Sequence, residues 1–152
     1  YGGDLCEGRY WQGLLESRAG HSRAVDPARK AFAWLSRAAL KADSEACRQL
    51  GELLFDGRGC TADAGRAFTL FTRALLHAEN AEQAGFAALG LARCFERARG
   101  CGLSFENAGA LYGSAAGWFQ EAFDAGSWYC KRPLLEARRG ERRMAQELDG
   151  RY

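Results

Sequence analysis

The sequence contains very little proline, histidine and methionine. Of its 152 residues, only two are proline, two are histidine and one is methionine. Because proline interrupts helices, its scarcity leaves room for long, unbroken helices. The only histidines, His21 and His77, cannot complete a Cys/His zinc site, and no CxxC motif occurs. We therefore expect neither a metal ion nor a cofactor.

A strong charge bias and a long apolar run are also missing. The net charge is only +2, which is too small to indicate a nucleic-acid partner. No run of about 18 apolar residues occurs, so the sequence predicts no membrane-spanning helix. Hydrophobic residues make up 47% of the chain, as in globular domains. Since the first residue is Tyr1 and not methionine, we expect a processed or trimmed product from which any signal peptide has been removed.

Motifs of catalysis are absent as well. The sequence has no GxSxG elbow, phosphate-binding loop or HExxH helix, and its two histidines are typical of surface imidazoles. Carboxylate pairs such as Glu79 and Glu82 are interpreted as members of solvated ion pairs. The arginine-rich tail is interpreted as a solvated capping helix, in preference to a patch for anionic lipid or nucleic acid. The sequence therefore predicts a protein that is not an enzyme.

The chain does contain an internal repeat. Residues 31–40, AFAWLSRAAL, return 36 positions later as residues 67–76, AFTLFTRALL. Both segments space their apolar residues as one face of a helix does. Asp26 with Pro27, and Asp63 before the second copy, supply the capping residues expected where such helices begin.

A third copy can be aligned in two registers. One register places it at residues 115–124, where Trp118 falls opposite Trp34. The other begins at Ala108 and pairs Tyr112 with Phe71. We favour the first because of the tryptophan match. It implies an inserted loop of roughly a dozen residues within 97–113, which is either a binding feature or a tolerated surface loop.

A second set of helices is predicted between these copies. Residues 43–55 have a capping start and helical apolar spacing, and they end at a glycine-containing turn. The corresponding helix of the next unit runs from about 81 to 98. Gly51 and Gly90 each follow a leucine inside these helices, a costly position that close helix contact would explain. Residues 4–17 suit a partial first helix, and residues 127–150 suit a C-terminal cap.

These residues resemble Sel1-like repeats, which are relatives of the tetratricopeptide repeat. The matching positions are Ala46, Leu50, Gly51, Gly57, Gly59, Asp63, Ala67 and Ala74. The resemblance implies an all-α fold, an α/α solenoid of about three helix-turn-helix repeats in a single domain, 1–152. The units would cover about 4–41, 43–78 and 80–126, with the cap at 127–150.

Six cysteines are many for a chain of this length, and they allow two interpretations. Either they form disulfides in an oxidising compartment, or they are buried free thiols. We favour disulfides because the cysteines recur near helix ends and loops. Cys94 and Cys101 flank one helix end and are the only pair we predict. A helix separates Cys47 from Cys60 by too great a distance, and the partners of these two and of Cys6 and Cys130 are not predicted.

The resemblance implies that the chain binds another protein. Solenoids offer extended surfaces on which arginine and aromatic side chains dominate binding. The predicted partner-binding residues are Tyr10, Trp11, Arg48, Gln49, Glu52, Arg93, Arg97 and Tyr129. Trp34, Phe68, Phe71 and Trp118 are assigned to the core instead.

Cysteine-rich relatives are exported bacterial proteins, so the resemblance also implies a periplasmic or secreted location. The sharpest form of the functional prediction is an immunity protein that neutralises a lipase or phospholipase effector of type VI secretion. The alternatives are an adaptor in envelope assembly or signalling and, from another class, a cell-wall or β-lactam hydrolase.

Overall fold

A computed structural model describes residues 27–41 and 43–150 of the chain. These residues form six α-helices and one short 3-10 helix, and they contain no strand. The helices are α1 (Pro27–Leu40), α2 (Ser44–Asp56), α3 (Ala64–Leu76), α4 (Ala81–Arg97), α5 (Phe105–Asp124) and α6 (Lys131–Asp149), with the 3-10 helix at Trp128–Cys130. The predicted all-α solenoid is confirmed. Tyr10, Trp11 and Cys6 lie outside the described residues.

Short polar side chains fix where four of the helices begin. Asp43, Asp63, Asn80 and Ser104 each accept a hydrogen bond from the backbone N–H three residues further on, at 2.8–3.1 Å. Each bond satisfies one of the amides that a helix leaves unpaired at its start. The predicted helix starts at Asp43 and Asp63 are therefore confirmed, and α1 begins at Pro27 as expected.

Each helix packs on the next one along the chain. The even-numbered helices also pack on one another. Thus α2 contacts α4, and α4 contacts α6. The ring of Phe71, which is buried as predicted, lies between α2 and α4. A Cβ atom placed on Gly51 or Gly90 would lie only 2.9 or 2.7 Å from that ring. The two glycines therefore let both helices approach one aromatic side chain closely.

A similar contact between a glycine and an aromatic ring occurs one unit later and corrects the register of the third repeat. A Cβ atom on Gly140 of α6 would lie 2.6 Å from the ring of Tyr112, so Tyr112 is the counterpart of Phe71. Ser104 caps α5 as Asp63 caps α3. The register that starts at Ala108 is thus correct, and the one favoured from the sequence is wrong. The two registers differ by seven residues, about two helical turns, so both place apolar residues on the same helix face.

The inserted loop predicted within 97–113 does not exist, because α5 already begins at Phe105. The turn between α4 and α5 has the same backbone form as the turn between α2 and α3. Gly57 and Ala98 end their helices in the left-handed conformation, and Gly59 and Gly100 follow with φ of +74° and +80°. The additional residues extend helices instead, since α4 and α5 have 17 and 20 residues and α2 and α3 have 13 each.

A polar network attaches the last helix to the rest of the solenoid. The Arg143 Nε donates to Glu96 Oε1 at 2.6 Å, and the Tyr112 hydroxyl donates to Glu96 Oε2 at 2.5 Å. Burial opposes ionisation of Glu96, but the hydrogen bonds from Arg143 and Tyr112 outweigh it and lower its pKa below the ordinary value. The carboxylate thus connects α4, α5 and α6.

We expect Glu96→Gln to lower the free energy of unfolding by about 1–2 kcal/mol at pH 7, since it removes charge-assisted hydrogen bonds. Because the folded-state pKa of Glu96 is lowered, its stabilisation is fully present above the unfolded-state pKa. It disappears as the pH falls through the folded-state pKa. Urea unfolding of both proteins between pH 7 and pH 3 should therefore show converging stabilities. Glu147→Gln, at an exposed carboxylate, is the control; a constant Glu96→Gln difference down to pH 3 would contradict the assignment.

Candidate binding groove

The helices α2 and α4 lie side by side and enclose a depression between their C-terminal halves. This depression, called here the main groove, has a volume of about 380 Å³. Its lining residues are Glu52, Leu53, Phe55, Asp56, Arg58, Phe71, Gly90, Arg93, Arg97 and Glu136. The buried residues Leu53, Phe71 and Gly90 form its apolar floor, whereas arginine and carboxylate side chains surround it. The groove therefore offers apolar contact in its centre and hydrogen-bonding groups around it.

Three arginines and three acidic residues line the main groove, so its positive and negative groups are equal in number. The Arg93 guanidinium donates to the carboxylate of Glu136 on α6. Burial opposes the charge of Arg93, yet its hydrogen bond and attraction to Glu136 raise its pKa above the ordinary value. Arg97 and Arg99 are exposed and approach the ring of Phe55, with Cζ at 5.9 and 4.7 Å from the ring centroid. These two guanidinium groups remain accessible to a partner.

A second depression of about 300 Å³ lies between the N-terminal halves of the same helices. The Arg48 guanidinium stands 4.7 Å from the ring centroid of Phe86 and donates to both carboxylate oxygens of Glu52 at 3.2 Å. Arg48 lines this second depression and Glu52 lines the main groove, so their ion pair marks the boundary between the two. The Tyr129 hydroxyl closes the far side by donating to Glu82 Oε2 at 2.7 Å.

Most of the predicted binding residues lie together on this surface. Glu52, Arg93 and Arg97 line the main groove, and Arg48 and Tyr129 line the second depression. Arg93 and Arg97 belong to α4, and Arg48 of α2 packs on Phe86 of α4. The residues lie together because α2 and α4 pack side by side.

Gln49 was predicted to bind a partner from an exposed face of its helix, but the structure buries it. Its side chain is 8% exposed, and its Nε2 donates to Glu45 Oε1 at 3.2 Å. The helix α2 packs against α1, α3 and α4, so its buried surface extends beyond the narrow apolar stripe visible in the sequence. Within the described part of the chain, the buried Oε1 of Gln49 has no hydrogen-bond partner.

Phe86 and Glu136 belong to the site but were not predicted. Glu136 was not predicted because the leucine-glycine pair found in α2 and α4 does not recur in α6, where Arg139 precedes Gly140. Gly140, a glycine inside this long polar helix, is the sequence feature that could have indicated a close helix contact there. Phe86 carries no signal of its own, because its role depends on Arg48 of the neighbouring helix.

The five cysteines of the described residues carry separate thiols. Burial, followed by the proximity of Cys101, raises the pKa of the Cys94 thiol to about 12. The disulfide between these two residues stays a prediction. No group of three histidine, cysteine or acidic side chains in residues 27–41 and 43–150 could hold a metal ion. Within the same residues, no helix is long and apolar enough to cross a membrane.

Comparison with known proteins extends these observations. A family model described as "Sel1 repeat" matches residues 9–43 and 44–77. The chain is similar in structure to a protective antigen of uropathogenic Escherichia coli with an SLR fold, at a TM-score of 0.59 and 18% identity. It is also similar to a Sel1 repeat protein from Oxalobacter formigenes, at a TM-score of 0.58 and 21% identity. These matches cover 94% and 86% of the chain but only 30% and 45% of the two relatives. No curated protein matches the chain.

Proposed function

Because this chain contains two Sel1 repeats, and proteins with this repeat generally act as protein-interaction scaffolds, we propose that the main groove and the second depression bind an extended segment of a partner protein. One observation carries the proposal. The two depressions adjoin at the Arg48–Glu52 ion pair and together follow the length of α2 and α4.

The chemistry of this surface suits a polypeptide. The apolar floor at Phe71 can accept a side chain, and the carboxylates and guanidinium groups around it can pair with backbone amides and carbonyls. Arginine and aromatic residues of this kind supply most of the binding energy at protein interfaces. Backbone recognition of this type needs no catalytic group.

The proposal is tested by selecting a display library of random twelve-residue peptides on the immobilised protein. We expect the selected peptides to bind Arg58→Ala/Arg97→Ala about tenfold or more weakly than the unaltered protein, because both side chains line the main groove. Arg66→Ala, at an exposed position outside both depressions, should bind them unchanged. Selection of no peptide, or equal binding by the groove variant, would refute the proposal.

The partner and the location form a finer proposal. The resemblance and the six cysteines support an exported protein that neutralises a secreted lipase or phospholipase effector. An adaptor for envelope assembly is the competing version. Co-expression of the chain with such an effector in the periplasm should abolish the toxicity of the effector, whereas expression of the chain in the cytoplasm should not. Persistent toxicity without co-purification would remove the effector version and leave groove binding itself untouched.

A further inference from the structure

A third depression lies beyond the main groove, where the 3-10 helix leads into α6. It has a volume of about 820 Å³ and is lined by Trp128, Tyr129, Lys131, Arg132, Leu135, Glu136 and Arg139. We call this surface the terminal patch. Its apolar members are unusually accessible, since Trp128 is 78% and Leu135 43% exposed. Large apolar side chains left this exposed next to one another are typical of an interaction surface.

The terminal patch also carries positive charge that the described part of the chain does not neutralise. Lys131, Arg132 and Arg139 form no ion pair with any carboxylate of residues 27–41 or 43–150. Glu136 is the one acidic residue of the lining, and its carboxylate already accepts from Arg93. Three cations therefore surround an exposed tryptophan and leucine.

We propose that the terminal patch docks an acidic segment of the partner protein, with an apolar side chain of that segment placed between Trp128 and Leu135. The proposal rests on the proposed function. Tyr129 lines both the second depression and the terminal patch, and Glu136 lines both the main groove and the terminal patch. A segment bound along α2 and α4 can thus continue directly onto α6. Charge complementarity selects carboxylates as the partner groups that compensate the three cations.

Two other occupants fit these observations less well. A second copy of the chain that docks symmetrically would place the three cations against the same three cations, which is unfavourable. Attraction to an anionic membrane surface generally uses clusters of about four to eight basic residues. Only three surround Trp128, and they border a concave surface, which suits a side chain better than a lipid bilayer.

The experiment uses the same twelve-residue peptide library. Peptides selected on the unaltered protein should be enriched in Asp and Glu next to an aromatic or leucine residue. A synthetic peptide of this type should bind Arg132→Glu/Arg139→Glu at least about tenfold more weakly, and Trp128→Ala several-fold more weakly. Arg66→Glu is the matched charge-reversal control and should bind as before. Binding should also weaken when the salt concentration rises from about 50 to 300 mM.

The outcomes separate this inference from the function on which it rests. Selected peptides without acidic enrichment that still require Arg97 would overturn the inference and leave groove binding intact. If no peptide were selected on the unaltered protein, both the inference and the proposed function would be refuted. Two further results would overturn the inference if acidic peptides did not bind. One is co-sedimentation with phosphatidylglycerol vesicles that Arg132→Glu/Arg139→Glu abolishes. The other is a dimer in sedimentation velocity that the same variant abolishes.

Discussion

Alanine at Gly100 should destabilise the fold by about 2–5 kcal/mol, whereas alanine at Gly102 should change its stability by less than about 0.5 kcal/mol. Gly100 has φ of +80°, and a Cβ atom there would overlap the carbonyl oxygen of Ala64. The left-handed conformation costs an alanine about 1–2 kcal/mol. Overlap with backbone, which cannot rotate away as a side chain can, adds about 1–3 kcal/mol. At Gly102, nothing lies within 4 Å of the added atom.

Urea unfolding followed by circular dichroism measures both variants. The pair is matched, because the same substitution is made two residues apart in one turn. Gly59→Ala, at the equivalent position of the preceding turn, should resemble Gly100→Ala, since its added atom would overlap the backbone of Ala28. Equal stabilities of Gly100→Ala and Gly102→Ala would contradict the close approach of Gly100 to the backbone of Ala64.

Replacing Phe71 by alanine should lower the free energy of unfolding by about 3–5 kcal/mol. The ring is 2% exposed and contacts α2 at Gly51 and α4 at Gly90. Its loss leaves a cavity between two units, so both should be destabilised together. Because Phe71 also lies in the floor of the main groove, peptides selected on the unaltered protein should bind the folded fraction of this variant more weakly.

A double-mutant cycle distinguishes this specific contact from a general loss of apolar surface. Gly90→Ala should destabilise the unaltered protein by about 1–3 kcal/mol, because its Cβ would lie 2.7 Å from the Phe71 ring. The cost should be smaller when residue 71 is leucine, which has no ring to displace. Additive effects of Gly90→Ala and Phe71→Leu would contradict the close approach of ring and backbone.

The sequence predicts the fold well where local chemistry determines it. Capping aspartates, helical spacing and the glycine turn at 57–59 locate α2 and α3 correctly, because each is a short-range signal. Apolar spacing alone could not determine the register of α5, because a shift of two turns keeps the same helix face. The cap at Ser104 and the contact between Tyr112 and Gly140 distinguish the two alignments.

The binding surface is predicted only in part for a related reason. The identities of Arg48, Arg93 and Arg97 make them candidates, and their packing places them together. The burial of Gln49 and the participation of Glu136 depend on neighbouring helices that are distant in sequence. Such features arise from tertiary contacts that no pattern within one helix contains.

The aromatic ring between successive glycines also has a geometric consequence. The Phe71 ring lies against Gly51 of α2 and Gly90 of α4, so the thickness of this ring sets the distance between the two helices. The separation of α2 and α4 is also the width of the main groove. A substitution in the buried interior can therefore widen or narrow the outer surface by a fraction of an ångström without altering any residue that touches a ligand. Interior packing and binding selectivity would then change together when such a protein diverges.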